Sequence, residues 1–371
     1  MKILYVITST ETGGAEKALL GLVRFMLSEN TVRVVSLKSL GPVAADMQQA
    51  GAEVKTLQMH WYNQGSVIRQ LAEEVKTFQP DIVHAMLYRA IEYTRMACAG
   101  KNIKLVTTPH FDLSKKCFLF RWMDFLLKDL DNLTVAESFS TARYLINHQK
   151  YLKEKVYLLP NGADPAVFYP DISLRAKMRQ AHGYQPENIV FISVARLAPV
   201  KDPITLLQAF RNVFRTHPMV RLVYVGEGPE REKLGVYIRA NQLEGVIALA
   251  GEQTDINAWL NMADVFVLPS VEESLPLALM EALLVGLPCI VSRVGDMPLW
   301  VEHGKNGFVF TSGDITLLSC FLTELAQNSV LRRQMGEHSR TVSERMTRTS
   351  PQYQHLYQQL INGRFHVKTT P

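Results

Sequence analysis

The stretch VFVLPSVEESLPLALMEALLVGLP (residues 265–288) places a strand, a loop and a helix in direct succession. We predict the helix to begin near Pro276, because proline is well tolerated at the first helical position. Glu273 lies on the loop and Glu281 within the apolar helix. Free N–H groups at a helix N-terminus suit a diphosphate, and carboxylates suit hydroxyl groups because they only accept hydrogen bonds. Taken alone, Glu281 also fits a solvated helix position.

The same alternation of short β-branched runs and longer amphipathic stretches extends over the rest of the chain. It predicts parallel sheets covered by helices on both faces, hence an α/β fold. The pattern pauses at a turn-rich segment, Leu159–Pro170, and then restarts. We therefore predict two doubly wound domains, residues 1–165 and 166–350, with ligand crevices at the carboxyl ends of their strands. Residues 351–371 contain a final helix with one apolar face.

Composition excludes several protein classes. A chain of 371 residues suits two domains, and no apolar run reaches the ~18 residues that a membrane helix needs. The N-terminus resembles a strand rather than a signal peptide. Four cysteines without CxxC spacing predict buried free thiols in a reducing cytoplasm. The net charge of +5 is mild, so we expect no nucleic-acid partner. The excess of basic residues in the first half suits either contact with an anionic membrane surface or a protein face that is simply solvated.

A basic pair follows the first strand of the second domain. Arg196 and Lys201 bracket the loop after the predicted strand Ile189–Val194, and Asp202-Pro203 predicts the N-cap and first residue of a helix. Arginine forks across phosphate oxygens and lysine supplies a point charge, so the pair suits a diphosphate. The alternative is a pair of surface cations.

Two further features lie at strand ends of the first domain. Gly13 and Gly14 occupy a strand-to-helix turn, where glycine permits close approach of a ligand, although plain turn geometry explains them nearly as well. His110 follows the strand Lys104–Thr108 and could donate to a sugar hydroxyl or a phosphate oxygen. His84 is a weaker candidate, and either histidine could be structural.

In order along the chain, these segments resemble the GT-B glycosyltransferases of family 4. The match covers nearly the whole chain and rests on an ordered series of short motifs: Gly13-Gly14-Ala-Glu16, Pro160-Asn161-Gly162-Ala-Asp164, Ala195-Arg196 with Lys201, Val225-Gly-Glu-Gly-Pro229, the E-x7-E pair Glu273 and Glu281, and Gly304-Lys-Asn-Gly307. The resemblance implies two Rossmann-like domains that face a central cleft, with the C-terminal helix crossing back to the first. It also implies transfer with retention of anomeric configuration, without a metal or other cofactor.

By this resemblance, particular residues acquire roles. Arg196 and Lys201 would hold the diphosphate of a nucleotide sugar, and Glu281 the ribose. Glu273 would hold the donor sugar together with backbone amides of the turn formed by Ser274, Leu275 and Leu277. Gly13 and Gly14 would let the acceptor and phosphate come close, and His110 would contact the sugar near its reacting face. Two departures affect the sugar contacts: Ser274 stands where many relatives have glycine, and Pro276 has no N–H.

The donor and acceptor are specified less closely. A UDP-linked hexose or N-acetylhexosamine is the first expectation and GDP-mannose the second, with a saccharide or lipid-linked acceptor in polysaccharide or glycolipid (lipopolysaccharide) assembly. Lys115–Lys128 mixes cations with aromatic residues, so it fits a helix on the inner membrane surface or a buried helix; Asp124 and Asp129 count against the membrane.

Other activities remain as alternatives. A sugar-nucleotide epimerase with the same fold would use the same donor without an acceptor. A catalytically silent subunit of a glycan assembly complex would keep the fold without need of the charged residues. A dehydrogenase is disfavoured because GxGxxG is absent.

Overall fold

The computed structural model describes residues 1–110, 117–346 and 349–364. They form two compact units: the first consists of Met1–Pro160 with the C-terminal helix, and the second of residues 161–347. In both units a parallel sheet is interleaved with helices, as predicted from the alternating pattern.

The first unit contains a seven-stranded sheet in the order β3-β2-β1-β4-β5-β6-β7. The strand order reverses between β1 and β4, which makes their carboxyl ends the topological switch point. The strands are β1 (Lys2–Ile7), β2 (Thr31–Ser36), β3 (Glu53–Thr56), β4 (Ile82–Met86), β5 (Lys104–Thr108), β6 (Leu133–Ala136) and β7 (Val156–Leu158). The helices are α1 (Gly14–Met26), α2 (Pro42–Gln49), α3 (Gln64–Phe78), α4 (Tyr88–Cys98), α5 (Phe118–Leu127) and α6 (Phe139–Asn147).

The second unit repeats this arrangement with a six-stranded sheet in the order β10-β9-β8-β11-β12-β13, so its switch point lies between β8 and β11. The strands are β8 (Ile189–Val194), β9 (Val220–Val225), β10 (Ile247–Gly251), β11 (Val265–Leu268), β12 (Cys289–Ser292) and β13 (Gly307–Phe310). The helices are α7 (Ile172–Ala181), α8 (Pro203–Phe214), α9 (Arg231–Ala240), α10 (Ile256–Met262), α11 (Leu277–Val285), α12 (Met297–Trp300), α13 (Ile315–Gln327) and α14 (Ser329–Ser343).

The last helix, α15 (Thr349–Ile361), packs on the first unit, as the resemblance implied. Its buried residues recur at helical spacing and join the core formed with β1 and α1: Tyr353, Leu356, Tyr357 and Leu360. These are the residues whose spacing predicted an apolar helix face. No helix among the described residues combines the length and apolar character needed to span a bilayer.

Helix α11 (Leu277–Val285) begins near Pro276 as predicted, with Pro276 as its N-cap in extended backbone (φ −73°, ψ 132°). Two other local expectations need correction. The thiols are free as predicted, but Cys117 and Cys320 are exposed, whereas the other two are buried. The division within the turn-rich segment falls after Pro160 rather than after residue 165: Leu159 packs in the core of the first unit, whereas the chain from Asn161 belongs to the second, where Asn261 Nδ2 donates to Tyr169 O at 3.0 Å.

Candidate active site

The loop after β8 carries the two cations that were predicted to hold a diphosphate. It is tied to the loop after β9, because Leu197 N donates to Glu227 O at 2.8 Å. Only glycine permits this approach: a Cβ at Gly226 (φ +137°) would lie 2.1 Å from Ala195 O. Arg196 projects from this fixed loop. Its side chain is exposed, and it has no hydrogen-bond or ion-pair partner within the described part of the chain.

The second cation contacts the predicted sugar-binding carboxylate directly. Lys201 Nζ lies 2.5 Å from Glu273 Oε1, although the two residues are 72 positions apart. Their loops follow the neighbouring strands β8 and β11, and Val271 N joins them by donating to Val200 O at 2.9 Å. Glu273 is only 8% exposed, and Ser270 Oγ also donates to Oε1 at 2.8 Å. Oε2 accepts no hydrogen bond from the residues that the structure describes, so it remains available to a ligand hydroxyl.

A serine that sequence reasoning missed positions this carboxylate. Ser270 is fully buried, and its carbonyl oxygen accepts from Ser292 Oγ at 2.5 Å and from Ser312 Oγ at 3.3 Å. The backbone before Glu273 is therefore held from the ends of β12 and β13. Its position in the sequence could have identified it, because Ser270 lies two residues after β11 at the carboxyl edge of the sheet.

The start of α11 offers backbone donors beside the carboxylate. The N–H groups of Leu275, Leu277 and Ala278 donate no hydrogen bond to other described residues, as expected for the first turn of a helix. Pro276 contributes no N–H, so the donors lie on either side of it. Glu281, the fifth residue of α11, lies on the partly exposed side of a helix whose other residues are mostly buried.

Close backbone contacts hold the turn between Glu273 and α11. A Cβ at Gly295 would lie 2.3 Å from Glu273 O and 2.4 Å from Ser274 O, so glycine is required there. Asn161 Nδ2 donates to Leu275 O at 2.9 Å from the segment that opens the second unit. The turn is thus rigid before any ligand binds, which favours selective binding of a shaped ligand.

Together these groups can hold a phosphorylated sugar. Two cations and the backbone amides at the start of α11 suit phosphate oxygens, and the carboxylate of Glu273 suits sugar hydroxyls. They lie at the switch point of the second sheet, where doubly wound proteins bind nucleotides. The structure thus brings Arg196, Lys201, Glu273, Ser274, Leu275, Leu277 and Glu281 to one sheet edge.

In the first unit, the two glycines of the predicted turn have different roles. Gly13 is the N-cap of α1, and a Cβ there would lie 2.3 Å from Glu16 Oε2. That carboxylate therefore lies beside the first turn of its own helix. Gly14 is exposed, and a Cβ there would meet no atom of the described residues within 4 Å. Gly14 is the position at which a ligand can approach the backbone.

His110 has the properties of a group that awaits a ligand. Its φ is +54°, a strained value for a residue other than glycine, and Leu87 at the end of β4 has φ +70°. Its buried Nε2 has no hydrogen-bond partner among the described residues, which costs ~1–3 kcal/mol if no ligand compensates. Burial lowers the pKa of His110 to about 4, so the imidazole is neutral at pH 7.

His84, the weaker candidate, is a core residue. Its Nδ1 lies 2.6 Å from Tyr357 Oη and its Nε2 lies 2.8 Å from Thr108 Oγ1, so both ring nitrogens are satisfied. It is fully buried, and burial together with nearby His110 lowers its pKa to about 3. His84 fastens α15 to the sheet and is not available to a ligand.

Helix α5 contradicts the interpretation of Lys115–Lys128 as a buried helix. The only residue of α5 that is buried is Asp124, which accepts from Arg95 Nη1 at 2.8 Å and from Tyr151 Oη at 2.7 Å. Besides Arg121, the exposed side chains of α5 are large and apolar and recur at helical spacing; these apolar residues, here called the α5 face, are Phe118, Leu119, Trp122, Phe125 and Leu126. Lys115 and Lys116 lie outside the described residues.

Two doubly wound units, the second with cations and carboxylates at its switch point, define the class as GT-B. Comparison with known proteins agrees. The model of Glycosyltransferase Family 4 matches residues 12–167, and that of Glycosyl transferases group 1 matches residues 175–342. The chain belongs to glycosyltransferase family 4.

Individual relatives support the assignment. The chain is 27% identical over 306 residues to N-acetyl-alpha-D-glucosaminyl L-malate synthase of Bacillus anthracis, covering 79% of this chain and 78% of that protein. It is 28% identical over 255 residues to UDP-Gal:alpha-D-GlcNAc-diphosphoundecaprenol alpha-1,3-galactosyltransferase of Escherichia coli, covering 68% and 62%. Its fold matches HepE of Anabaena, solved with UDP-glucose, with a TM-score of 0.86 and 21% identity, covering 98% of this chain and 100% of that chain. None of these supports the epimerase alternative.

Proposed function

We propose that this chain is a retaining glycosyltransferase that moves a hexose or N-acetylhexosamine from a UDP-linked donor to a saccharide or lipid-linked acceptor, without a metal, in polysaccharide or glycolipid assembly. The observation that carries the proposal is the contact of Lys201 with Glu273 at the switch point of the second sheet. The choice of UDP follows the E. coli relative, whose name specifies UDP-Gal, and HepE, which was solved with UDP-glucose. GDP-mannose is the second choice.

The diphosphate is proposed to lie between Arg196 and the first turn of α11. Arg196 supplies a guanidinium with no partner among the described residues, and Lys201 can share its ammonium group between Glu273 and a phosphate oxygen. Since Ser270 also holds Glu273, the carboxylate keeps its place when Lys201 turns toward the donor. Two cations on loops that are held in place offset the charge that grows on the diphosphate as it leaves, which is the role a metal has in other transferases.

The remaining contacts are proposed from the positions of the residues at the two sheet edges. Glu273 Oε2 accepts from a donor-sugar hydroxyl, and Glu281 accepts from the ribose. Gly14 admits the acceptor, and neutral His110 contacts the sugar near its reacting carbon. The acceptor oxygen bonds to the anomeric carbon on the face from which the diphosphate departs, and the acceptor proton passes to a phosphate oxygen. This front-face path retains the anomeric configuration.

Nucleotide binding tests this proposal. A thermal-shift screen against UDP, GDP and their sugars should show stabilisation by UDP compounds, and titration calorimetry then measures the affinity. Glu281→Ala should weaken UDP binding roughly tenfold or more, because a hydrogen bond to a charged group contributes ~1.5–3 kcal/mol and about 1.4 kcal/mol corresponds to a factor of ten. Glu232→Ala, an exposed glutamate on α9, is the control. Unchanged UDP affinity in Glu281→Ala would remove the ribose role.

We further propose that the α5 face attaches the enzyme to the inner face of the cytoplasmic membrane. Five large apolar side chains face solvent, while the polar Asp124 anchors the helix to Arg95, which is 1% exposed. Exposed Arg121 adds a cation at the same helix, which favours anionic lipid. In the sequence, Asp124 counted against a membrane surface. In the structure it points toward the protein interior, so it leaves the α5 face apolar and supports the attachment.

Vesicle co-sedimentation tests this surface. The protein should bind phosphatidylcholine vesicles more strongly when they contain phosphatidylglycerol. Phe118→Ser with Trp122→Ser should lower binding roughly tenfold or more, since each large apolar side chain contributes ~1.5–3 kcal/mol when fully buried. Ile172→Ser, at an 86% exposed isoleucine of α7, is the matched control. Binding that ignores anionic lipid, or survives the double substitution, would refute attachment through α5.

A further inference from the structure

An exposed aromatic loop follows β3 in the first unit. Trp61 is 86% exposed and Tyr62 is 69% exposed, and with His60 and Asn63 they form what we call the aromatic loop. Folded proteins rarely leave large aromatic side chains clustered in solvent unless they bind something. Because all strands of this sheet are parallel, the loop lies at the same sheet edge as Gly14.

The loop is built to hold its rings in place. Asn63 Oδ1 accepts from His60 N at 2.7 Å, and Asn63 Nδ2 donates to Gln58 O at 3.0 Å. The rings of His60 and Tyr62 stack at 5.3 Å with an angle of 3° between their planes. The Trp61 ring meets the Tyr62 ring edge-on at 5.8 Å and 89°. Side chains that are ordered in advance lose little entropy when a ligand binds.

Hydrogen bonds connect the start of the aromatic loop to the loop between β2 and α2, and connect that loop in turn to the one that precedes Gly14. Met59 N donates to Leu37 O at 2.7 Å, and Gly41 N donates to Thr10 Oγ1 at 2.8 Å. Strand β3 is two positions from β1 in the sheet, so about 10 Å separates the two strand ends. A short oligosaccharide spans such a distance.

The chemistry of the loop distinguishes a sugar from a membrane. Residues 56–68 contain no Lys, Arg, Asp or Glu, so the loop lacks the cations that attract anionic lipid. It offers ring faces, whose negative quadrupole attracts the C–H groups on the apolar face of a pyranose. The exposed amides of Gln58 and Gln64 both donate and accept hydrogen bonds, which suits hydroxyl groups at the rim of a sugar ring.

We propose that the aromatic loop is a stacking subsite for a pyranose ring of the acceptor, beyond the ring that receives the transferred sugar. This inference rests on the proposed function and extends it, because it predicts an acceptor with at least one further sugar residue. Trp61 supplies the principal stacking surface, and Tyr62 supports it from the side.

Fluorine NMR of the protein labelled with 5-fluorotryptophan tests the subsite. The chain has four tryptophans, Trp61, Trp122, Trp259 and Trp300, so their signals can be resolved, and Trp61→Phe assigns the first. Methyl glycosides of maltose, cellobiose, lactose and N,N′-diacetylchitobiose, added at millimolar concentration, should include at least one that shifts the Trp61 signal saturably. The Trp122 signal should not move, and sorbitol should shift neither.

Substitution completes the test. Trp61→Ala should weaken binding of the responding disaccharide about tenfold, the value of one aromatic stacking contact with its buried area. Trp122→Ala, at the exposed tryptophan of α5, should leave it unchanged. If no disaccharide shifts Trp61, or if phosphatidylcholine–phosphatidylglycerol vesicles shift it instead, the subsite is refuted. UDP titration of the same samples distinguishes a failure of the proposed function from a failure of the subsite. Failure to bind UDP would refute the proposed donor, whereas the response of the Trp61 signal to the saccharides tests the subsite independently of the donor.

Discussion

Replacing Lys201 by methionine removes the ammonium group but keeps most of the side-chain volume. In the wild type this ammonium lies 2.5 Å from Glu273 Oε1, and the two side chains are 25% and 8% exposed. Without it, the hydrogen bond from Ser270 is the one that the side chain of Glu273 keeps within the described parts of the chain. A largely buried carboxylate that loses one of two partners costs ~1–3 kcal/mol of unfolding free energy, which a two-unit protein tolerates.

The effect on catalysis should be larger than the effect on stability. If Lys201 stabilises the charge on the departing diphosphate, its loss removes ~2.7–4 kcal/mol of transition-state stabilisation, or roughly 10²–10³ in kcat. The assay is the release of UDP from a UDP-sugar, with urea unfolding measured on the same preparations. Lys233→Met is the matched control, because its ion pair with Glu230 (3.3 Å) is exposed and contributes only ~0–1 kcal/mol.

Two results would refute this reasoning. Turnover near that of the wild type in Lys201→Met would show that the ammonium does not act on the diphosphate. Equal losses in Lys201→Met and Lys233→Met would show that the assay reports stability alone. A double-mutant cycle of Lys201→Met with Glu273→Gln should also show a coupling energy of ~0.5–3 kcal/mol, as for residues in direct contact.

Three further predictions follow from single residues. Gly14→Ala should fold normally yet lower kcat/KM, since a methyl group there meets no atom of the described residues within 4 Å. Gly21→Ala, equally open within α1, should stabilise the helix by ~0.5–1 kcal/mol without loss of activity, and equal activity in both variants would exclude close ligand approach at Gly14. The pKa of His84 is lowered to about 3 and that of His110 to about 4. The neutral histidines therefore contribute their full stability above about pH 6.5, and this stability is lost as the pH falls below that value, by up to ~1.4 kcal/mol per pH unit for each histidine. In urea unfolding, the free energy of unfolding of His110→Gln should fall less steeply with decreasing pH than that of the wild type. Parallel curves for the two proteins would contradict this. Burial raises the pKa of Glu92 to about 7, so the stability that its protonated form gives the fold at low pH is lost as the pH rises through 7. The free energy of unfolding of Glu92→Gln minus that of the wild type should therefore be more favourable at pH 8 than at pH 5. An equal difference at both pH values would contradict the argument that this carboxyl group is buried.

Strand positions were predictable because strands of a doubly wound sheet are buried on both faces and appear as continuous apolar runs. Ile3 to Ile7 of β1, for example, are all fully buried. Helix α14 was not predicted, since its sequence is largely polar and its burial depends on contacts with α11. Strand β13 has only four residues and follows a glycine turn, so it gave no clear pattern.

The positions of the candidate site residues were predictable from the sequence, but the contacts between them were not. Arg196, Lys201 and Glu273 were predicted from their places at strand ends, because parallel strands bring their carboxyl ends to one edge. That Lys201 contacts Glu273 depends on loop conformations set by glycines elsewhere in the chain, such as Gly295. Such long-range contacts leave no periodic signal.

The orientation of α5 shows the same limit. Its aromatic residues fit a buried helix and a surface helix equally in sequence, and only the side to which Asp124 points distinguishes them. That direction is set by Arg95, 29 positions earlier, whose guanidinium also binds Asp131. His84 likewise is explained by Tyr357, 273 positions away.

Donor hydrolysis followed by proton NMR tests the central claim most directly, because it needs no acceptor. The enzyme is incubated with UDP-glucose, UDP-galactose, UDP-N-acetylglucosamine or GDP-mannose in the presence of EDTA, and the anomer of the released sugar is recorded before mutarotation. We predict slow release of the α anomer from one UDP-sugar, and loss of that release in Lys201→Met. Release of the β anomer, a requirement for added metal, or conversion of the donor into an epimer would contradict a metal-independent retaining transferase.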